Sequence, residues 1–359
     1  MFLYQKVFES LKQQIISGEY PPGSLLPSER EIGEIYQVDR TTVRKAFQFL
    51  VDEKLVEKHV GKGTVVIYQP DDSAVLPAPQ NGTIAFLLPK SNRNSDRITV
   101  PFYSQLFYGV EKQCKKAGYS LIYSTLDEAD DLKTVLSRNI ANLKGIMFVS
   151  NISEKHIDQA LENNIPSILI NGVSDKLISI SSDNFTGTYT SCEHLIGLGH
   201  KNICVLNGIK TYHSAKERLT GVRAALKAHN LSLPEKYHIS NDSWEFEGGF
   251  DATQAMLSQV SPLPTAIIAF NDRLANGALQ AIQQAGLNVP EDISVIGFDN
   301  SDQARYSVPK LSSVEINIPT MAKIASANLF YQIGLGQNIA AKILVPVYYI
   351  ERDSVKFLL

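Results

Sequence analysis

The chain has 359 residues, 44% of them hydrophobic and 20% charged, with a formal net charge of −3. That length suits two or three domains with full-sized cores, and the charge balance excludes a wholly basic nucleic-acid coat. Three cysteines without C-x-x-C spacing, a polar start (MFLYQKVFESLKQQ) and the lack of any apolar run near the roughly 18–20 residues that span a bilayer point to a cytoplasmic protein with no membrane partner.

Tyr4, Phe8, Leu11 and Ile15 recur at helical spacing, which predicts a first helix from about Tyr4 to Ser17 with Gly18 as its C-terminal cap and a turn at YPPG. Ser28 to Glu31 reads S-x-x-E, a capping box opening a second helix with Ile32 and Ile35 on its buried side. Asp39 can cap a third helix. There Val43, Ala46, Phe47 and Leu50 form a core stripe, while Arg40, Thr41, Arg44, Lys45 and Gln48 fall on the other face and Thr42 lies at its edge. EKHVGKGTVVI then gives two β-patterned runs around Gly61, Lys62 and Gly63. Three short helices and a hairpin make a winged helix-turn-helix over residues 1–68. Arginine forks match guanine edges, threonine suits thymine methyls or phosphates, and a lysine in a glycine hairpin suits phosphate. An ordinary solvated helix face would carry similar residues. Bulk charge does not decide between the two, because residues 1–68 hold nine basic and nine acidic side chains.

Residues 69–82, QPDDSAVLPAPQNG, carry three prolines among small and acidic residues and read as a linker. Over residues 83–359, apolar runs alternate with amphipathic helical stretches: TIAFLLPKS, YSLIYST, GIMFVSN, PSILING, ICVLNG, TAIIAF and ISVIGF. This is the pattern of parallel strands covered on both faces, and seven of them suggest two α/β lobes. Ligands of such sheets sit beyond the carboxyl ends of strands. That rule selects Pro89, Lys90, Ser91, Asn171, Asn271, Asp272, Asp299 and Asn300. Two-headed amides and carboxylates suit hydroxyl-rich ligands, and Trp244, the single tryptophan, could stack on a sugar. Asn and Asp after strands also serve as helix caps, a lone Trp also serves as core, and Arg218 could be a solvated helix residue.

SGEYPPGSLLPSEREI, VDRTTVRKA and GKGTVV resemble the GntR-type winged-helix domain over residues 4–67. The resemblance implies DNA contacts from Arg30, Arg40, Thr41, Thr42 and Arg44 and from the wing at Gly61, Lys62 and Gly63; Lys45 shares the exposed face. Asp39 stands where that family usually has serine, and Phe47 where it has leucine. GTIAFLLP, PFYSQLFYGVEKQCKKAGYSLI, HLIGLGHKNI, ERLTGVRAAL, FNDRLANGALQAIQQAG and VPEDISVIGFDN resemble the LacI/GalR effector domain, a periplasmic-binding-protein-like fold, over residues 82–359. This implies two lobes, about 83–182 with 317–344 and about 183–316 with 345–359. It further implies effector contacts from Phe102, Tyr103, Asn171, Arg218, Trp244, Asn271 and Asp299. PKSNRNSDRITVPF is longer than that family's usual segment, and the family's own DNA reader and hinge helix are replaced.

An enzyme is the rival reading. No G-x-S-x-G, P-loop or H-E-x-x-H is present, and Cys192, His194 and His200 in CEHLIGLGH fit an amphipathic helix better than a metal set. A sugar-binding protein without a DNA role would leave residues 1–68 unused. The expectation is therefore a homodimeric transcription regulator, a repressor on double-stranded operator DNA. A mono- or disaccharide between the lobes controls it, with no catalytic residues, metal or cofactor.

Overall fold

The computed structural model describes residues 3–16, 19–21, 23–53, 55–59, 63–67, 81–90, 97–136 and 142–358. The chain divides into two compact units, Met1–Pro77 and Ala78–Leu359.

In the first unit, α1 (Leu3–Ile16), α2 (Glu29–Tyr36) and α3 (Arg40–Asp52) precede a hairpin of β1 (Val56–His59) and β2 (Gly63–Val66). The capping box is complete: Glu31 N–H donates to Ser28 Oγ at 3.3 Å and Ser28 N–H donates to Glu31 Oε2 at 2.7 Å. Asp39 caps α3 by accepting the amides of Thr41 (2.9 Å) and Thr42 (3.0 Å). Phe8, Leu11 and Ile15 meet Ile32, Val43, Ala46, Phe47 and Leu50 in one core, joined by Val56 and Val66 from the hairpin. Leu25 bridges to Val65, so the stretch after the proline turn extends the hairpin into a small sheet. One expectation is corrected. Ile35 is 63% exposed, because Ile32 and Tyr36, one turn apart, face the core and rotate Ile35 outward. Gly18 and linker residues 69–80 lie outside the described residues.

The second unit opens with β3 (Gly82–Pro89), α4 (Pro101–Lys116), β4 (Tyr119–Leu126), α5 (Leu132–Leu136), β5 (Leu143–Val149), α6 (Glu154–Glu162), β6 (Ser167–Ile170) and β7 (Ile178–Ser182). It continues with α7 (Asn184–Gly197), β8 (Ile203–Asn207), α8 (His213–Ala228), β9 (His238–Ser240), α9 (Phe246–Gln259), β10 (Ala266–Ala269), α10 (Asp272–Gln284), β11 (Ser294–Asp299), α11 (Asp302–Tyr306) and β12 (Ser312–Ile316). It closes with α12 (Ile318–Leu335), β13 (Ala341–Val345) and β14 (Val347–Ile350).

Two six-stranded sheets result. The first has the order β13-β7-β6-β5-β3-β4 and is parallel throughout. The second has the order β14-β12-β11-β10-β8-β9, parallel except where β14 runs against β12. All seven apolar runs are strands. The chain crosses between the sheets after β7, after β12 and between β13 and β14. Asp183 and Asn317 cap the helices that follow the first two crossings, accepting the amides of Thr186 (2.9 Å) and Thr320 (3.0 Å). The arrangement is two parallel-sheet lobes joined by three short passages, which leaves a cleft between the carboxyl ends of both sheets.

Candidate functional site

The outward face of α3 carries Arg40, Thr41, Arg44 and Lys45, all exposed, with Thr42 half-buried. Their order comes from two carboxylates. Asp39 accepts the Thr42 hydroxyl at 2.7 Å and the Thr41 hydroxyl as well as both amides. These four donors hold its carboxyl far below the usual carboxylate range. Glu29, at the start of α2, accepts Arg44 Nε at 2.9 Å and Arg40 Nε at 3.3 Å and lies 3.6 Å from Lys58 Nζ. Burial opposes its charge, yet the two arginines and the lysine outweigh that and keep its pKa below the ordinary value. The arginine side chains remain 70% and 59% exposed, so each is held at its Nε while much of the group faces outward. Lys45 Nζ lies 4.0 Å from the centroid of the Tyr4 ring, and Arg30 pairs with Glu34 at 3.0 Å with its side chain 87% exposed. Gly63 starts β2 at φ +105 and is exposed, while Gly61 and Lys62 lie outside the described residues. Glu29 and Lys58 were not singled out from the sequence, where Glu29 reads only as the first residue of a capped helix.

In the second unit a cavity of about 450 Å³ lies between the lobes. Phe102, Tyr103 and Asn171 reach it from the first lobe, and Arg218, Trp244, Asn271 and Asp299 from the second. Lys90 is not on its wall. One residue past the end of β3, its ammonium turns to Asp127, 3.5 Å away.

Arg218 is 6% exposed. Its Nε donates to Asn184 Oδ1 at 2.8 Å, its Nη1 to the Phe270 carbonyl, and its Nη2 lies 3.8 Å from Asp299 Oδ1. The guanidinium also stacks on Phe298, 3.6 Å from the ring centroid. Burial pushes its pKa down to about 10 against the pull of Asp299, so it stays charged at neutral pH. Burial raises the Asp299 carboxyl, with Arg218 opposing and Asp272 adding to the rise. Asp272 is raised by burial too, although Ser313 Oγ and the Ser301 amide, both at 2.6 Å, stabilise its charge. Asp299 and Asn300 adopt φ +108 and +51, and Asn171 φ +56. Such backbone conformations are sparsely populated by residues other than glycine and concentrate at ligand sites.

Trp244 packs against Gly208, where an added Cβ would come within 2.5 Å of the indole. Asn271 Nδ2 donates to the Trp244 carbonyl at 2.9 Å while its Oδ1 accepts the Leu274 amide at 2.8 Å. Asn271 is therefore a helix cap that also fixes the tryptophan, and it lines the cavity. Asn171 Nδ2 donates to Ser150 Oγ at 3.1 Å, which in turn donates to the Tyr103 hydroxyl at 3.2 Å. Arg97 and Tyr212, neither selected from the sequence, join across the cleft: Arg97 Nη1 donates to Tyr212 Oη at 3.1 Å.

The Cys192, His194, His200 group is packing. Cys192 is fully buried, and the His200 ring nitrogens contact Thr265 Oγ1 and the Lys356 carbonyl, both at 3.0 Å. Among the described residues no cluster of His, Cys, Asp and Glu is placed to hold a metal ion, and no helix is long and apolar enough to cross a membrane.

Residues 3–66 match the model of the bacterial regulatory proteins of the gntR family, and residues 192–355 match the periplasmic binding protein-like domain. The chain is 30% identical over 336 residues to the "Probable HTH-type transcriptional repressor ExuR" of Bacillus subtilis, covering 91% of this chain and 98% of that one. It is 32% identical to the ribose operon repressor of Escherichia coli over 71% and 76% of the two chains. Among solved structures, a LacI family transcriptional regulator from Enterococcus faecium with bound ribose superposes with a TM-score of 0.67 at 25% identity, over 77% of this chain and 100% of that one. The lac repressor dimer bound to operator and an anti-inducer superposes with a TM-score of 0.66 at 25% identity, over 80% and 99%.

Proposed function

Because this chain belongs to the transcriptional repressors that join a GntR-type DNA-binding head to a LacI-type effector domain, we propose that it represses sugar-utilisation genes and releases its operator when a mono- or disaccharide fills the cleft. The observation that carries the effector half is the cavity wall, where Arg218, Asp299 and Trp244 converge at the carboxyl ends of the second sheet. A charged donor, a carboxylate acceptor and an aromatic face are the groups a polyhydroxylated ring needs. The DNA half rests on Arg40 and Arg44, held outward by Glu29.

The chain acts as a cytoplasmic homodimer whose two α3 helices enter successive major grooves of a near-palindromic operator. Sugar closes the lobes about their three passages, and the closed dimer presents its heads differently. A preference of about 1–3 kcal/mol for one dimer state shifts operator affinity roughly 5–150-fold. Two of the cleft aspartates are committed to the chain's own groups, Asp299 facing Arg218 and Asp272 accepting from the serines, which favours binding over catalysis.

Fluorescence anisotropy on duplex carrying the chain's own promoter separates the two halves. Arg44→Ala should weaken DNA binding by about tenfold or more and leave sugar binding intact. Arg218→Ala should abolish the sugar response while operator binding persists. Loss of both functions in either variant would contradict the division of labour.

A further inference from the structure

Asp299 and Asn300 close β11 with two successive backbone angles in the left-handed region, φ +108 and +51. Residues with side chains seldom adopt such angles, and the conformation persists only where its neighbours hold it. Both residues line the cavity. Two groups of the second lobe hold the turn. The first is Asp272, which accepts the Ser301 amide and the Ser313 hydroxyl, both at 2.6 Å, while Ser313 Oγ accepts the Asn300 amide at 3.1 Å. The second is Arg352, whose Nη2 donates to Asn300 Oδ1.

Arg352 is not on the cavity wall and stands two residues past the end of β14. Its own place is set before it reaches Asn300. Its amide donates to Ser312 Oγ at 2.8 Å and its Nη1 to the Leu311 carbonyl, so backbone and guanidinium are both tied to the start of β12. Two residues on, the buried Ser354 hydroxyl accepts the Ser312 amide at 2.8 Å and donates to the Val295 carbonyl at 2.6 Å. A planar guanidinium anchored in this way delivers one N–H in one direction, which a flexible ammonium would not. Its charge acts a second time. Burial raises the Asp272 carboxyl, and the Ser313 and Ser301 bonds together with the Arg352 charge oppose that rise. An ionised Asp272 is the stronger acceptor for the Ser301 amide.

We infer that Arg352 is a positioning residue for the effector site: by gripping Asn300 it fixes the Asp299–Asn300 turn and so aims Asp299 at Arg218, without touching a ligand itself. This rests on the reading of the cleft as a sugar site. Asp299 Oδ1 stands 3.8 Å from Arg218 Nη2 only while the turn keeps its shape. The strand before Arg352, β14, begins at the third passage between the lobes and pairs with β12 from Val347 to Ile350. Arg352 thus joins that passage to the cleft wall through one short strand, and movement of the passage is felt at Asp299.

The test uses the full chain and two readouts. Hydrogen–deuterium exchange of the unliganded chain reports on the turn itself, because the Asn300 and Ser301 amides are hydrogen-bonded. Arg352→Gln should speed exchange across residues 299–303 by about tenfold or more and leave β8 and β10 within about twofold of the parent, and Arg352→Lys should recover part of the protection. Calorimetric titration with ribose, glucose, galactose and cellobiose reports on the site. For a sugar that binds the parent, Arg352→Gln should weaken affinity by about tenfold or more. In an Asn300→Ala background, where the amide oxygen is gone, the same change should cost no more than about threefold. Unchanged exchange at the turn overturns the inference, and so does a rise shared equally with β8 and β10, which marks general loosening. Full sugar affinity in a variant whose turn exchanges freely overturns it too, as does an equal loss in both backgrounds. If none of the four sugars binds the parent while exchange at the turn rises as expected, the sugar-site reading falls and takes the effector role of Arg352 with it.

Discussion

Asp299 ends a parallel strand, faces the cavity with 27% of its side chain exposed, and is otherwise enclosed by the lobe. Burial pushes its pKa from 3.8 up to about 7, with Arg218 pulling down and Asp272 pushing up. Between those values the folded chain holds a proton that the unfolded chain releases. The associated stability is complete below 3.8 and is lost as pH rises through about 7. Melting of the unliganded chain between pH 5 and 8 should therefore show a fall with rising pH that Asp299→Asn largely removes. An identical fall in the variant would assign the titration elsewhere. Asp299, Asn171 and Asn271 were legible in the sequence because a residue that closes a parallel strand has one place to point. Lys90 obeys the same rule by position, yet Asp127 draws it away from the cavity. Arg97 was illegible because its reach depends on the path of a long connection that no periodicity encodes. Glu29 was illegible because its partners lie 11 and 15 residues away on another helix.

Helices and strands were read where a single local rule governs them. The S-x-x-E box and Asp39 fixed the starts of α2 and α3 through hydrogen bonds spanning three residues or fewer. The seven continuous apolar runs became seven strands, six inside the sheets and one, β4, at an edge. The strands that were missed break that rule. In β7 isoleucine alternates with serine, and Ser179 and Ser181 are buried because their hydroxyls donate to the Ser174 and Gly172 carbonyls. Strands β13 and β14 are edges with exposed residues, and their identity comes from the passage between lobes rather than from apolar runs. The crossing of α7 and α8 shows how packing of elements reaches the site. Gly221 lies one turn beyond Arg218, and a Cβ there would stand 2.3 Å from Thr188 Oγ1 and 2.4 Å from the Phe185 carbonyl. Thr188 Oγ1 also donates to the Arg218 carbonyl at 2.8 Å. Gly221→Ala must push the helices apart. It should cost about 1–3 kcal/mol in denaturant unfolding and weaken sugar binding, while the isolated reading of DNA by α3 is unaffected. A variant as stable as the parent would show that the crossing yields freely.

At the scale of the whole chain, a net charge of −3 and a balanced head give no bulk sign of DNA binding, and the proposed reading rests on where Arg40 and Arg44 stand rather than on how many basic residues there are. Phosphate contacts still release counterions, so operator affinity should fall steeply between low and physiological salt, and a flat titration would count against them. The division into a DNA-reading unit and a two-lobed unit follows from two different hydrophobic periods in one sequence, one helical and one of buried strands. Communication between them is the central claim, and one experiment bears on it most directly. The affinity of the full chain for its promoter duplex is measured with the cleft empty and with it saturated by a sugar that raises the melting temperature. The account predicts weaker binding by about 5–150-fold with the cleft filled, and no change in Arg218→Ala. Operator affinity that is the same with an empty and a filled cleft would contradict it.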